Sequence, residues 1–205
     1  MRRLAPTLVM ALALAGCNVS GQTPRHHKAK APDASGRKLI VVDASGVPLG
    51  KLRLRKDRIR VYGPDMMPFG MIAQDESGLG FTPNGQTTPQ YLTVDDHGIW
   101  ESAESLRIEP VDRGWAVFGA EAALIGYVEF SGTWTFRSGY DDRPQWVTKG
   151  RQVMAGAEKV CTGLSADAEQ EMTLALCIVG LPLESRALLG AWLKAQDIAA
   201  AAGAN

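Results

Sequence analysis

Histidine and cysteine are scarce in this chain, with three of each among 205 residues. His26 and His27 are adjacent in a polar stretch, where two ligands alone make no metal site. His97 is left as the only histidine for a Ser-His-Asp or Cys-His site, chemistry that needs a rigidly held imidazole. It lies in Asp95-Asp96-His97-Gly98 between YLTV and IWES, where Asp and Gly supply turn conformations. Consecutive extended residues point apart, so a turn is expected there and not a ligand set. Net charge is also absent, with 22 basic residues against 22 acidic, so bulk charge selects no partner and nucleic acid is not expected. No phosphate loop, dinucleotide fingerprint, zinc helix or haem-attachment motif occurs. Asp141 and Asp142 lack the spaced acids of a calcium loop. No cofactor and no metal are therefore expected, and a non-enzymatic binding or structural module is the reading. One enzymatic alternative stays open. An envelope hydrolase acting on glycan or peptide takes its carboxylates from distant strands and leaves no local motif, and Glu101, Glu104 and Asp112 are examples of such acids.

What the chain does have begins at its start. Arg2 and Arg3 precede an apolar run from Leu4 to Ala13 that contains no acid, and small residues follow, which is the layout of a processed export signal. The run is too short to span a bilayer as a helix, which takes roughly 20 apolar residues. The pattern Leu14-Ala15-Gly16-Cys17 after such a segment resembles the lipobox of bacterial lipoproteins. That resemblance implies a diacylglyceryl group on the Cys17 thiol, cleavage just before it, and acylation, for example with palmitate, of the new amino group. Burying acyl chain contributes about 0.8 kcal/mol per methylene, and two or three chains make a stable anchor where one does not. Asn18 stands where an aspartate would resemble an inner-membrane retention signal. The implied address is the bacterial cell envelope, on the periplasmic side of the outer membrane. An ordinary secretory signal with an incidental cysteine is the alternative.

Removing residues 1–16 from 205 leaves 189 residues, with 20 basic against 22 acidic, enough for one cored domain with an appendage. Residues 17–36 carry Pro24, Pro32, Gly21 and Gly36 with few apolar side chains and are expected to be a flexible tether, about 25 Å in root-mean-square span. Its basic middle, Arg25 to Lys30, suits either solvent or anionic headgroups. Residues 37–148 change to short runs rich in Val, Ile, Leu, Thr and aromatics, broken by turn signals such as Ala44-Ser45-Gly46, Asp95 to Gly98 and Ser131-Gly132. That rhythm predicts an antiparallel β domain, barrel or sandwich.

Between Gly50 and Gly63 the register is legible. Leu52, Leu54, Ile59 and Val61 alternate with Lys51, Arg53, Arg55, Arg58 and Arg60. A hairpin turning at Lys56-Asp57 places Leu54 opposite Ile59 and Leu52 opposite Val61, with all four on one face. Lys-Asp is a weak turn pair, and a longer connection would shift this register. The same register sets Arg53 against Arg60 and Arg55 against Arg58, and like charges directly opposite cost on the order of 0.2–1 kcal/mol per pair. Lys51, Arg53, Arg55, Arg58 and Arg60 are thus candidate anion-binding residues, suited to an anionic envelope polymer, lipid phosphate or an acidic protein. The plain alternative is a solvated strand face balanced by neighbouring acids.

The hairpins are duplicated. VYGPDMMPFGMI (61–72) aligns without a gap on VFGAEAALIGYV (117–128), LRLR at Leu52 precedes the first copy as LRIE at Leu106 precedes the second, and VPLGKL at Val47 echoes MPFGMI at Met67. A strand-turn-strand unit with a glycine at a bend or close approach is expected. Asp43 to Leu52, as Asp-x-x-Gly-x-x-Leu-Gly-x-Leu, resembles hairpins of PRC-barrel-like domains over ten residues. After Lys149-Gly150 the composition turns to Ala, Leu, Glu and Met, which predicts a helical segment over 149–205. Ser165 is the expected cap of a helix reaching Val179. Pro182 opens a second, with a stripe of Leu183, Leu188, Ala191, Trp192 and Ala195. In an exported chain Cys161 and Cys177 read as a disulfide, and with 15 residues between them it contributes roughly 3 kcal/mol by loop entropy.

Overall fold

The computed structural model describes residues 37–203 apart from 103, 104, 140–144, 166 and 167. The segments expected to be an export signal and a tether, with Cys17, lie outside the described residues, as do His26, His27, Glu104, Asp141 and Asp142. From Arg37 onward the chain runs through β1 (Lys38–Asp43), β2 (Pro48–Leu54), β3 (Arg58–Tyr62), β4 (Pro68–Asp75), β5 (Gly78–Pro83), β6 (Gln90–Val94) and β7 (Trp100–Ser102). It continues through β8 (Leu106–Val111), β9 (Gly114–Phe118), β10 (Leu124–Phe130), β11 (Trp134–Ser138), β12 (Trp146–Lys149), β13 (Gln152–Ala155) and β14 (Glu158–Gly163). Two helices follow, α1 (Gln170–Cys177) and α2 (Leu183–Gly203). Each strand pairs with the next, and β1 pairs antiparallel with β14, so the fourteen strands close into a barrel with no free edge. Of the two β architectures expected, the barrel is the one formed. β13 and β14 fall beyond residue 148, inside the stretch expected to be helical. Their four and six residues are too short for composition to reveal.

Period-two alternation sorts the walls. Leu39, Val41, Leu52, Leu54, Val61, Ile72, Phe81, Leu92, Ile108, Val117, Val128, Trp134, Phe136 and Val153 point inward and are buried. Lysines, arginines and glutamates, among them Arg53, Arg60, Arg107, Glu109 and Arg137, occupy the outward positions. This is the reverse of a lipid-facing barrel, whose apolar band lies outside.

The lumen is filled by the two helices. Fourteen strands about 4.8 Å apart and tilted about 40° enclose a backbone cylinder roughly 28 Å wide, more than inward side chains alone can fill. Every residue from Glu171 to Cys177 of α1 is buried, and α1 packs on β1, β2 and β11 to β14 while α2 lies against β4 and β5. The expected apolar stripe on α2 is buried at Leu183, Leu188, Ala191 and Trp192, but so are Ala187, Leu189 and Leu193 off the stripe. A helix apolar all round is a helix surrounded by protein. At Gly190 an added Cβ would stand 3.3 Å from the Met172 Cα and 3.3 Å from the Ala175 Cβ, so the missing side chain lets α1 and α2 approach closely.

The helical plug is fastened at both ends. Where the chain enters, Glu169 pairs with Lys194 of α2 at 2.5 Å and with Arg37 at 3.4 Å. At the far end, where α1 turns into α2, the Ser185 hydroxyl donates to the Ser105 carbonyl at 2.9 Å and Arg186 Nη1 donates to the Leu176 carbonyl at 2.9 Å. Burial lowers the affinity of the Arg186 guanidinium for its proton, and nearby Glu184 opposes that shift. Cys161 of β14 and Cys177 of α1 are disulfide-bonded with Cα atoms 6.1 Å apart, so the bond ties the plug to the wall. α1 begins later than a Ser165 cap would set it and ends earlier than Val179. Glu169 occupies the N-cap position.

The duplicated hairpins are structurally equivalent. Val61 pairs with Gly70 and Tyr62 with Pro68, while Val117 pairs with Gly126 and Phe118 with Leu124, which leaves Phe69 and Ile125 as matching bulge residues. Leu49 is the same bulge in the β1–β2 hairpin. Bulges add strand twist, which closing a barrel needs. The glycine after the bulge is required by an aromatic on the next strand. A Cβ on Gly70 would lie 2.4 Å from Phe81 Cζ, and one on Gly126 would lie 2.6 Å from Phe136 Cζ.

Candidate functional site

The candidate anion-binding residues converge on the outer wall of β2 and β3. Leu54 faces Ile59, Leu52 faces Val61 and Arg53 faces Arg60, so the expected register is the one formed. The Arg55 N–H donates to the Arg58 carbonyl at 2.8 Å and closes the turn at Lys56-Asp57. With Leu52 and Leu54 committed to the lumen, strand geometry sends Lys51, Arg53 and Arg55 outward. The structure adds a cation that the sequence did not place. Lys38 of β1 pairs with Arg53, so Lys38, Arg53 and Arg60 stand abreast on three consecutive strands. One strand step is about 4.8 Å and two residues along a strand about 6.7 Å, so the cationic area is roughly 10 Å by 13 Å.

Little neutralises it. Among the described residues the one carboxylate within 4.0 Å of these cations is Asp57, 3.8 Å from Arg58 Nε and itself exposed in the turn. Lys38, Lys51, Arg53, Arg55 and Arg60 make no ion pair with a described residue. The Nε atoms of Arg53, Arg55 and Arg58 are shielded from water and have no hydrogen-bond partner among the described residues, which is equally true of Arg107 Nε, so the contrast between the copies rests on the ion pairs alone. Lys51 rests its ammonium 4.6 Å above the Tyr62 ring, a cation–π contact that orders the lysine without removing its charge.

The duplicated hairpin supplies an internal control. Arg107, the counterpart of Arg53 in LRIE, is held by Glu101 at 2.9 Å and by a close contact to Glu109, itself the counterpart of Arg55. The same wall position on the same fold is thus neutralised in one copy and left charged in the other. Closing the barrel does not require the bare cations.

The other sequence candidates are placed as follows. Asp95 Oδ1 accepts N–H bonds from His97 at 2.8 Å and Ile99 at 2.9 Å. Those bonds, the one from Ile99 foremost, hold its carboxyl below the usual aspartate range. The residues Asp95 to Gly98 form the turn that their composition implied. Asp43 makes the same two bonds to Ser45 and Val47. Of the acids named for a hydrolase, Glu101 is tied to Arg107 and Asp112 lies in the turn between β8 and β9 at the opposite end of the barrel. A hollow of about 570 Å³ beside Glu101 is lined by Ser102, Leu106, Arg107 and the turn Gly119 to Ala122. It brings Glu101 together with Glu121, which sequence reasoning did not name. Among the described residues no three His, Cys, Asp or Glu side chains are grouped as metal ligands, and no helix is long and apolar enough to cross a membrane.

Comparison of the chain with protein-family models, with curated proteins and with solved structures finds no match in any of the three.

Proposed function

We propose that the protein is a lipid-anchored module of the bacterial cell envelope, carried on Cys17 at the periplasmic face of the outer membrane. On this reading it works without catalysis, by binding an anionic, phosphate-bearing envelope component through the outer wall of β1 to β3. The observation that carries the proposal is the contrast between the two hairpin copies, Arg107 paired twice and Arg53, Arg55 and Arg60 not at all. Leaving opposed cations bare costs about 0.2–1 kcal/mol per facing pair, and an anionic ligand offsets that cost when it binds. The anchor fits the same face. The Leu54 N–H donates to the Arg37 carbonyl at 2.8 Å, so the segment from Cys17 joins the barrel at the edge of the cationic area.

The test compares the wild type with Arg53→Ala/Arg55→Ala/Arg58→Ala/Arg60→Ala for binding to long-chain polyphosphate, at low and at high salt. Exposed charges are screened over about 10 Å at 0.1 M salt and about 3 Å at 1 M. Wild-type binding should therefore be strong at low salt and weak at high salt, and the variant should bind weakly in both. Equal binding by the two proteins would remove the proposal. Detergent-phase partitioning of Cys17→Ala tests the anchor separately, and partitioning equal to that of the wild type would contradict it.

A further inference from the structure

We propose that the anionic component is the surface of a phospholipid bilayer, and that the barrel docks on it by its far end, with Val47, Met67 and Phe69 entering the acyl boundary. This rests on the anion-binding reading above and names its partner. Pairing of β2 with β3 sets the β1–β2 and β3–β4 turns side by side at the end opposite Arg37. They expose Met67 (64%), Val47 (56%) and Phe69 (37%), and Val179 in the turn between the helices, at the same end, is 64% exposed. Val94, Val111, Phe130 and Leu164 are exposed at the Arg37 end, so it is the order of residues along β2 and β3, and not apolar exposure alone, that points to the far end.

Moving from these tips along the outer wall, the residue types change in a fixed order. Tyr62 and Lys51 come next, paired across the strands and in cation–π contact. Arg60, Arg53 and Lys38 stand abreast one side-chain repeat further on. Apolar tip, then aromatic ring, then cation is the depth order of a bilayer from acyl chain through interface to phosphate. An acidic protein or a soluble polymer gives no reason for that order.

Both ends carry acids, and the turns at the Arg37 end hold Asp57, Glu76, Asp95, Asp96 and Asp112 together with the bases Lys56, Arg113 and Arg151. On the β1–β4 side of the far end the acids are Asp43 and Asp65, and each uses Oδ1 to accept N–H bonds within its own turn, from Val47 at 2.9 Å and Met67 at 3.0 Å. The 20 residues from Cys17 to Arg37 reach at most about 66 Å when extended, far more than the roughly 20 Å that the six residues of β1 cover along the wall. An anchored Cys17 is therefore compatible with far-end docking.

The test is fluorescence quenching by brominated acyl chains, using full-length protein with vesicles of phosphatidylcholine alone or mixed with phosphatidylglycerol. Phe69→Trp reports on the far end and Val94→Trp on the Arg37 end, each read as the difference from wild type. The added emission of Phe69→Trp should be quenched at least about twofold in the anionic vesicles at low salt. High salt, or Arg53→Ala/Arg60→Ala in the same chain, should release the quenching, and Val94→Trp should not be quenched. No quenching of Phe69→Trp, or equal quenching of both reporters, would overturn the docking. If polyphosphate binding persists while Phe69→Trp stays unquenched, the anion-binding face stands and the bilayer is wrong. Loss of both ends the underlying reading too.

Discussion

Replacing Trp192 by alanine tests whether the helix pair is the core of the barrel. The indole is 2% exposed and stands edge-on to Trp115, with ring centres 5.2 Å apart and planes at 89°, and against Trp100 at 6.2 Å and 64°. Trp115 in turn packs on Trp134 at 6.2 Å, so four of the chain's five tryptophans form one cluster between α2 and the wall. A buried Trp removes about 150–250 Å² from water, which at about 25 cal/mol per Å² is about 4–6 kcal/mol. Truncations of this kind cost about 3–5 kcal/mol in practice, and about 4 kcal/mol is expected here. For a domain of this size each kcal/mol lowers Tm by about 2–4 °C, so Tm should fall by about 8–16 °C. Thermal unfolding followed by tryptophan emission and by far-ultraviolet circular dichroism measures both the loss and the cluster's spectrum. Trp192→Phe, which keeps a ring in the pocket, should recover about half of the loss. A Trp192→Ala protein less than about 1 kcal/mol weaker, with unchanged emission, would show that α2 does not sit among those side chains.

Three further outcomes follow from single contacts. Gly126→Ala places a Cβ 2.3 Å from the Arg137 carbonyl oxygen, and overpacking of this kind should cost about 1–3 kcal/mol in denaturant unfolding; a neutral result would contradict the close approach at the bulge. Cys161→Ala/Cys177→Ala should lose about 3 kcal/mol, and wild type unfolded under reducing conditions should match it. The Asp95 carboxyl, held low chiefly by the Ile99 N–H, contributes stability that is present above its unfolded value near 3.9 and is lost as pH falls through the lower folded value. An NMR titration should place it below ordinary aspartates, and a midpoint at or above 3.9 would refute the turn geometry.

Much of this was readable from residue order because strand alternation is local. Leu52, Leu54, Ile59 and Val61 set their own face, which forced Arg53 against Arg60, and the duplicated Gly70 and Gly126 marked the bulges. Lys38 escaped notice because its pairing with Arg53 depends on the bulge at Leu49, which one strand's alternation does not reveal. The position of the helices was missed for a different reason. Leu189 and Leu193 off the expected stripe were the available signal, since apolar residues on every side mean burial on every side. A short hydrophobic helix after a β domain looks like an appendage until the barrel's width is known, and that width depends on β13 and β14, whose brevity hid them. The neutralisation of Arg107 required three-dimensional pairing across β7 and β8, which residue types alone do not give.

The most direct measurement sets the two hairpin copies against each other. Arg53→Ala/Arg60→Ala and Arg107→Ala should both fold, as judged by Tm, and polyphosphate binding at low salt should be weakened about tenfold or more in the first and unchanged in the second. If Arg107→Ala lost as much binding as Arg53→Ala/Arg60→Ala, or if neither lost any, the unpaired cations of β1 to β3 would not be the surface on which this protein works.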